Sequence, residues 1–476
     1  MADSPFKFPC GMTRRQLLWQ AGNGFFGTAL TWMLAQDGFF AGKARAAALP
    51  GIESGMLPRP PQRAAKAKAC IFLYMTGGPS HLDTFDPKPE LVKRNGTPFT
   101  FTSASSATSQ KISGMLKGAP WKFQPAGKSG IPISEILPCL AQHADDMAII
   151  RGTVADSAAH GSASLQMNTG MVRQGFPSLG SWSLYGLGSR NQNMPGFVVL
   201  VNGAPYSGAL NWSAGFMPAA YQGTVFNTTG DPILNLKSAT GTSLDQQRQQ
   251  INLISKLNQG FGAAEPDNSE LSARIANYEL AFRMQAAAPE VVDLAQETPS
   301  TKALYGLTEP TTEKFGRSCL MARRLVERGV RFVQLFHSNW DTHSNNDNRH
   351  RTLCAETDRP IAGLLTDLKQ RGLLDETLIV WAGEFGRTPL GTTGRDHHAN
   401  GFSTWMAGGG VRGGIAHGAT DDFGFSVVEG KVHVHDLHAT ILHLMGLDHE
   451  LLTYFHAGRN YRLTDVAGQV VKAILA

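Results

Sequence analysis

Five short runs, "CIFLYM" (70–75), "MAII" (147–150), "FVVLV" (197–201), "RFVQLF" (331–336) and "LIVWA" (378–382), are apolar nearly throughout instead of on alternate residues. A strand with one wet face alternates, whereas a strand covered on both faces does not. Helical patterns separate several of the runs. "FGRSCLMARRLVERG" (315–329) precedes the fourth, and "RPIAGLLTDLKQRG" (359–372), stopped by Gly372, precedes the fifth. Strands alternating with helices in this way predict an α/β fold, a three-layer α/β/α sandwich around a mostly parallel central sheet. A chain of 476 residues, 42% hydrophobic and 17% charged, is ordinary for one large globular domain with insertions.

The segments outside that pattern divide the chain. "TRRQLLWQAGNGFFGTALTWMLAQ" sets Arg14 and Arg15 before a weakly apolar stretch, and "ARAA" (44–47) follows as a small-x-small cleavage signal. Residues 1–46 therefore resemble a twin-arginine export signal, and the protein is expected in the periplasm or outside the cell. Gln20, Asn23 and three glycines make Leu17 to Leu34 a poor membrane span, so membrane attachment is expected only if the signal stays uncleaved. Residues 47–69 are Pro-rich and polar and read as a linker, with the α/β domain at 70–476. Within it, 242–290 carries two amphipathic helical patterns and reads as an inserted helical hairpin. Without residues 1–46 the chain has 38 basic and 36 acidic side chains, and no long basic run, which argues against nucleic acid as a partner. Cys70, Cys139, Cys319 and Cys354 are widely spaced and form no CxxC pair. Export permits one disulfide among them, and buried free thiols are the other reading.

Functional groups of open α/β sheets gather just past the carboxyl ends of the strands. The polar clusters of this chain fall there. Ser80, His81, Asp83 and Asp86 follow the first run, Asp156 and His160 the second, and His337, Asp341 and His343 the fourth. "WAGEFGRTPLGTTGRDHH" extends the fifth with Glu384, Arg387, Arg395, His397 and His398. Each cluster has a plain structural reading: Ser80 and Asp83 as turn caps, Asp341 and His343 as a bonded loop, Glu384 and Arg387 as a salt bridge, His398 as an exposed loop residue. Together, carboxylates and imidazoles from four strand ends suit a divalent metal site.

"FLYMTGGPSHLDTFDPKPEL", "WDTHSNN", "GEFGRTP", "GRDHHANGFSTWMAGGGVRGG" and "VHDLHATILHLMGLDHE" resemble an exported bacterial family catalogued as domain of unknown function 1501, which is placed with the alkaline phosphatase and sulfatase superfamily. The resemblance spans roughly residues 65–470. It implies an alkaline-phosphatase-like domain and a metal-dependent hydrolase of phosphate or sulfate esters, acting on a small-molecule or glycan ester. The metal it implies is divalent, with Zn, Ca, Mn and Mg all open. Carried over residue by residue, it implies His81, Asp83, Asp341, His343, Glu384 and His397 as metal ligands. His160 would complete the shell or act as base, and Arg387 or Arg395 would grip an anion. The superfamily's Asp-His pair falls on Glu384 and Phe385, and its nucleophile position on His160 with Ser162 the nearest hydroxyl. Those departures favour a second reading, a non-catalytic metal-binding or assembly protein on the same fold. Asp436 and Thr440 would belong to a structural closing helix.

Overall fold

The computed structural model describes residues 56–103, 110–229, 245–254, 280–285 and 289–476, together with residues 233 and 243. The expected export signal lies outside them, as does most of the expected helical insertion, of which the helical segments 245–254 and 280–285 are described.

All five apolar runs are strands of one sheet. β1 is Ala69–Met75, β2 Met147–Val154, β3 Phe197–Asn202, β4 Thr224–Phe226, β5 Phe332–His337, β6 Thr377–Ala382, β7 Phe402–Ala407, β8 Ile415–His417 and β9 Val432–His433. Their order is β8-β2-β7-β6-β1-β5-β3-β4, and β9 also pairs with β2. β1 lies parallel between β5 and β6. β7 runs antiparallel to both β6 and β2, and every other pairing is parallel. β7 carries buried Ser403 and Thr404 in its run, and Thr404 Oγ1 meets Thr153 Oγ1 of β2 at 2.9 Å. These hydroxyls interrupt the apolar signal, which hides the strand from a reading of periodicity.

The sheet divides the interior in two. Ile71, Leu73 and Met75 of β1 enter one core, and Cys70, Phe72 and Tyr74 enter the other. A strand's side chains alternate between faces, so a fully apolar strand feeds both. Helices α3 (Pro310–Glu327) and α4 (Asn346–Gln370) cover the first face, and α1 (His160–Thr169), α2 (Leu179–Leu187) and α5 (Val434–Leu444) pack on the second. This is the expected three-layer sandwich. Among the described residues Cys70, Cys139, Cys319 and Cys354 are free, and all but Cys139 are buried. Asp436 closes a capping box at the start of α5, where its Oδ2 accepts from His433 N, and Thr440 Oγ1 accepts from Val471 N, the structural roles expected of both.

Residues 56–68, read from sequence as linker, run along the domain. Arg59 N donates to Leu187 O, Lys66 N and Ala67 N donate to Leu444 O, and Arg63 pairs with Asp448. Prolines and polar residues mark an extended backbone here, and the domain supplies its hydrogen-bond partners.

β1, β5 and β6 end side by side, and the loops beyond them meet at Gly77. Its φ of +116° belongs to glycine, and a Cβ there would stand 2.3 Å from the backbone nitrogen of Asp341. Gly77→Ala is therefore expected to lower stability by at least about 2 kcal/mol, read as a fall in the urea midpoint at unchanged slope.

Candidate metal centre

Three strand ends of the sheet, with the hairpin beyond one of them, deliver the central groups. His160 opens α1 after β2, Asp341 and His343 follow β5, Glu384 follows β6, and His397 lies on the hairpin strand His397–His398, which pairs with Gly386–Arg387. Their hydrogen bonds assign the imidazole protons. His160 Nδ1 faces Glu384 Oε1 at 2.7 Å, His397 Nδ1 faces the carbonyl of Ala158 at 2.8 Å, and His343 Nδ1 faces Asp396 Oδ1 at 2.8 Å. Each partner is an oxygen acceptor, so each Nδ1 donates. Each neutral ring then presents a lone pair at Nε2.

All three Nε2 atoms turn to one carboxylate. His343 Nε2 lies 3.0 Å and His397 Nε2 3.3 Å from Asp341 Oδ1, and His160 Nε2 lies 3.3 Å from Oδ2. His343 Nε2 and His397 Nε2 are 2.9 Å apart. His160 Nε2 is buried and out of line for a hydrogen bond. Among the described residues, His160, Asp341 and His397 form a group whose ligand atoms all lie within 4.8 Å of one another. Where the rings are neutral, three nitrogen lone pairs and a carboxylate face each other; where His160 or His343 is protonated, its charge pairs with Asp341. An imidazole and carboxylate set of this kind suits a divalent transition metal.

Burial alone would raise the Asp341 carboxyl. The Arg387 hydrogen bond and charge, with His160 and His343, hold it well below the usual carboxylate range instead. Burial, reinforced by His160 and Arg387, pushes the His397 imidazole down and favours the neutral form that can ligate. Aromatic rings wall the group. Tyr206 stacks on His160 at 3.9 Å and 9°, and Phe385 lies 4.8 Å from His160 and 4.6 Å from His397. Phe385 cannot ligate, but it fixes the plane of two rings that can. The Tyr206 hydroxyl reaches Asp341 Oδ2 at 3.3 Å, and burial beside Asp341 raises its phenol, so it stays a donor. Tyr206 had no sequence signal, because it follows β3 in a loop without His or carboxylate.

Glu384 is fully buried, and its Oε2 has no hydrogen-bond partner. Its Oε1 accepts from His160 Nδ1 and, at 2.8 Å, from Gly77 N. A carboxylate behind an imidazole fixes the ring's tautomer and direction. Arg387 is equally buried. Its Nε donates to Gly78 O at 2.9 Å, Nη1 to Arg395 O at 3.1 Å, and Nη2 to Gly77 O and to Asp341 Oδ1, the latter at 2.7 Å. Every nitrogen of the fork is engaged, and one of its bonds orients Asp341. Glu384 and Arg387 are linked through Gly77 and form no direct bond. Arg395 is likewise engaged, by Asp83 through Nε at 2.9 Å and Nη2 at 3.2 Å, and by Lys117 O through Nη1.

His81 and Asp83 fall outside the group. Asp83 is held by Arg395 and by Asn346 Nδ2 at 3.1 Å, a buried ion pair that locks the loop after β1. His81 is buried and stacks on His398 at 6.5 Å, with no hydrogen bond to either nitrogen. His398 is itself buried, its Nε2 bonding to the Phe425 carbonyl at 2.7 Å, contrary to the exposed loop position expected for it.

The family model described as "Protein of unknown function (DUF1501)" matches residues 67–475. The chain belongs to that family. No curated protein matches it. Solved structures resemble it in outline. One is a protein named Ps i-CgsB, solved in complex with k-i-k-neocarrahexaose, at 11% identity and a TM-score of 0.37, covering 80% of this chain and 72% of that one. Another is the lipoteichoic acid synthase LtaP from Listeria monocytogenes, at 10% identity and a TM-score of 0.36, with 83% and 76% covered. A third is an alkaline phosphatase from the Antarctic bacterium TAB5, at 11% and 0.29, with 72% and 92% covered. At these scores they are likenesses alone.

The wall behind the group predicts a pH dependence. His350 is fully buried, and its Nε2 accepts from Ser80 N at 2.9 Å. Burial lowers its pKa from 6.5 to about 4. As pH falls, the unfolded chain takes up this proton first, so stability is complete above pH 6.5 and declines until about pH 4. His350→Gln keeps an acceptor for Ser80 and is expected to remove up to about 3 kcal/mol of that decline. Urea unfolding of both proteins across this range measures it.

Proposed function

We propose that this protein is an exported, metal-dependent hydrolase of phosphate or sulfate esters. The observation that carries the reading is the convergence of three imidazole Nε2 atoms on Asp341, each ring turned by a bond at its far nitrogen. His160, Asp341, His343 and His397 would hold the ion. A divalent ion there supplies Lewis-acid polarisation of a phosphoryl or sulfuryl oxygen and lowers the pKa of bound water. Glu384 holds the His160 proton at Nδ1, Arg387 keeps Asp341 ionised, and Phe385 and Tyr206 exclude water from one side of the ring pair. Among the described residues no serine, threonine or cysteine side chain bonds to these groups, so the reading is direct attack by water without a covalent enzyme intermediate. The same observation favours the second reading, a metal-binding or assembly protein that does no chemistry.

Elemental mass spectrometry of the exported protein is expected to find a stoichiometric divalent metal. His397→Ala and Asp341→Ala should lose it while remaining folded by circular dichroism. Glu384→Gln should keep a weaker site, by about 10- to 100-fold in affinity. A well-folded wild type without metal would sink the proposal. Metal with no hydrolysis of any phosphate or sulfate ester would favour the scaffold.

A further inference from the structure

We infer that the site takes monoanionic esters, sulfate monoesters and phosphate diesters, in preference to dianionic phosphate monoesters, and that the Tyr206 hydroxyl is the side-chain donor to the bound oxyanion. The inference rests on the metal-site reading above and narrows its substrate class.

It comes from what the cations near the site are doing. Arg387 touches Asp341, but all three of its nitrogens are engaged and it is fully buried. Arg395 is buried and held by Asp83 and by the Lys117 carbonyl. Arg349 turns Nη1 to the Asp341 carbonyl and Nη2 to the Asn339 carbonyl, both at 2.8 Å. Lys117 is buried and paired with Asp347 at 2.8 Å. Among the described residues, no cation near the group presents an uncommitted fork to an incoming anion.

The charges in contact are the carboxylates of Asp341, Glu384 and Asp396 and the Arg387 guanidinium. With one divalent ion and neutral imidazoles they leave no net charge. A bound monoanion leaves one negative charge. A dianion leaves two in a half-buried site where, among the described residues, no further cation is free to meet them, and charges so placed interact strongly. A dianionic monoester also carries more basic oxygens, each wanting a strong donor, and such donors are scarce here.

Tyr206 is the hydroxyl at the rim. It is 38% exposed, its ring lies flat on His160, and its hydroxyl rests on Asp341 Oδ2. Its loop is anchored, since Ser207 Oγ donates to Gly161 O at 3.0 Å and Asn211 Nδ2 donates to Tyr206 O at 2.6 Å. Ser207 itself holds a φ of +65°, a conformation a non-glycine residue adopts only when its surroundings impose it. The ring is thus fixed over the metal ligands with a donor at the open edge. Once Asp341 is engaged by a cation, that donor is free to turn to a substrate oxygen.

Calorimetric titration of the metal-loaded protein at a pH of about 8, where a phosphate monoester is a dianion, tests this with three non-hydrolysed or slowly hydrolysed probes: phenyl sulfate, methyl phenyl phosphate and phenyl phosphate. Metal content is measured on the same samples. The two monoanions are expected to bind at least about tenfold more tightly than phenyl phosphate. Tyr206→Phe keeps the ring on His160 and should retain its metal while binding the monoanions about tenfold less tightly. Phenyl phosphate binding as well as phenyl sulfate would overturn the charge argument. So would methyl phenyl phosphate following phenyl phosphate, because the discrimination would then be phosphorus against sulfur. Unchanged affinity in Tyr206→Phe would overturn the role of its hydroxyl. Wild type without metal would overturn the parent reading and this one with it, and the metal measurement distinguishes that failure from the others.

Discussion

The guanidinium of Arg387 joins three strand ends that the sheet alone would leave as separate loops. It holds the carbonyls of Gly77 and Gly78 after β1, the Asp341 carboxylate after β5, and the carbonyl of Arg395 across its own hairpin. A fully buried charge is costly unless paired and hydrogen-bonded, and this one is both. Its worth lies in geometry more than in stability. The carboxylate that receives three imidazoles has its direction set from behind by this fork, and its ionised state follows from the same contact.

A second layer does the same for the imidazoles. The Nδ1 partners of His160, His343 and His397 are a buried side chain, an exposed side chain and a backbone carbonyl, supplied by three different segments. The burial differs accordingly, and the Asp396 side chain is 82% exposed where Glu384 is wholly enclosed. His160 is therefore the most rigidly held of the three and His343 the least. The Tyr206 ring adds to that difference by covering His160 and leaving His343 to solvent.

Much of this was legible in the sequence, for physical reasons that also explain what was not. Doubly buried strands lack alternation, so β1, β2, β3, β5 and β6 declare themselves, and functional loops follow their carboxyl ends. That places His160, Asp341, His343, Glu384, Arg387 and His397 in one neighbourhood without any coordinates. What periodicity cannot give is which polar group meets which. Glu384 was expected as a ligand, and its Oε1 stands behind the His160 ring. Arg387 was expected to grip an incoming anion, and it is engaged by the Asp341 carboxylate and three backbone carbonyls. Asp83 lies one strand end away from the centre but is claimed by Arg395, whose position depends on how the 386–398 hairpin folds back. Tyr206 was invisible because a lone tyrosine after a strand carries no pattern, and β7 because Ser403 and Thr404 break its apolar run. Packing of 56–68 along the domain was hidden by prolines that mark extended chain in linkers and in docked segments alike.

The candidate ligands are far apart along the chain. His160 comes from a different strand end from Asp341, and Asp341 and His397 are separated by 56 residues. The unfolded polypeptide consequently offers no compact chelating pocket, apart from the Asp341–His343 neighbours. Any ion preference of this centre is set after the sheet has closed and is a property of shape. A nascent chain would have little means of capturing the wrong metal early and folding around it. An ion bound by these residues would meet a site whose shape folding had already set, and its removal would leave that shape behind.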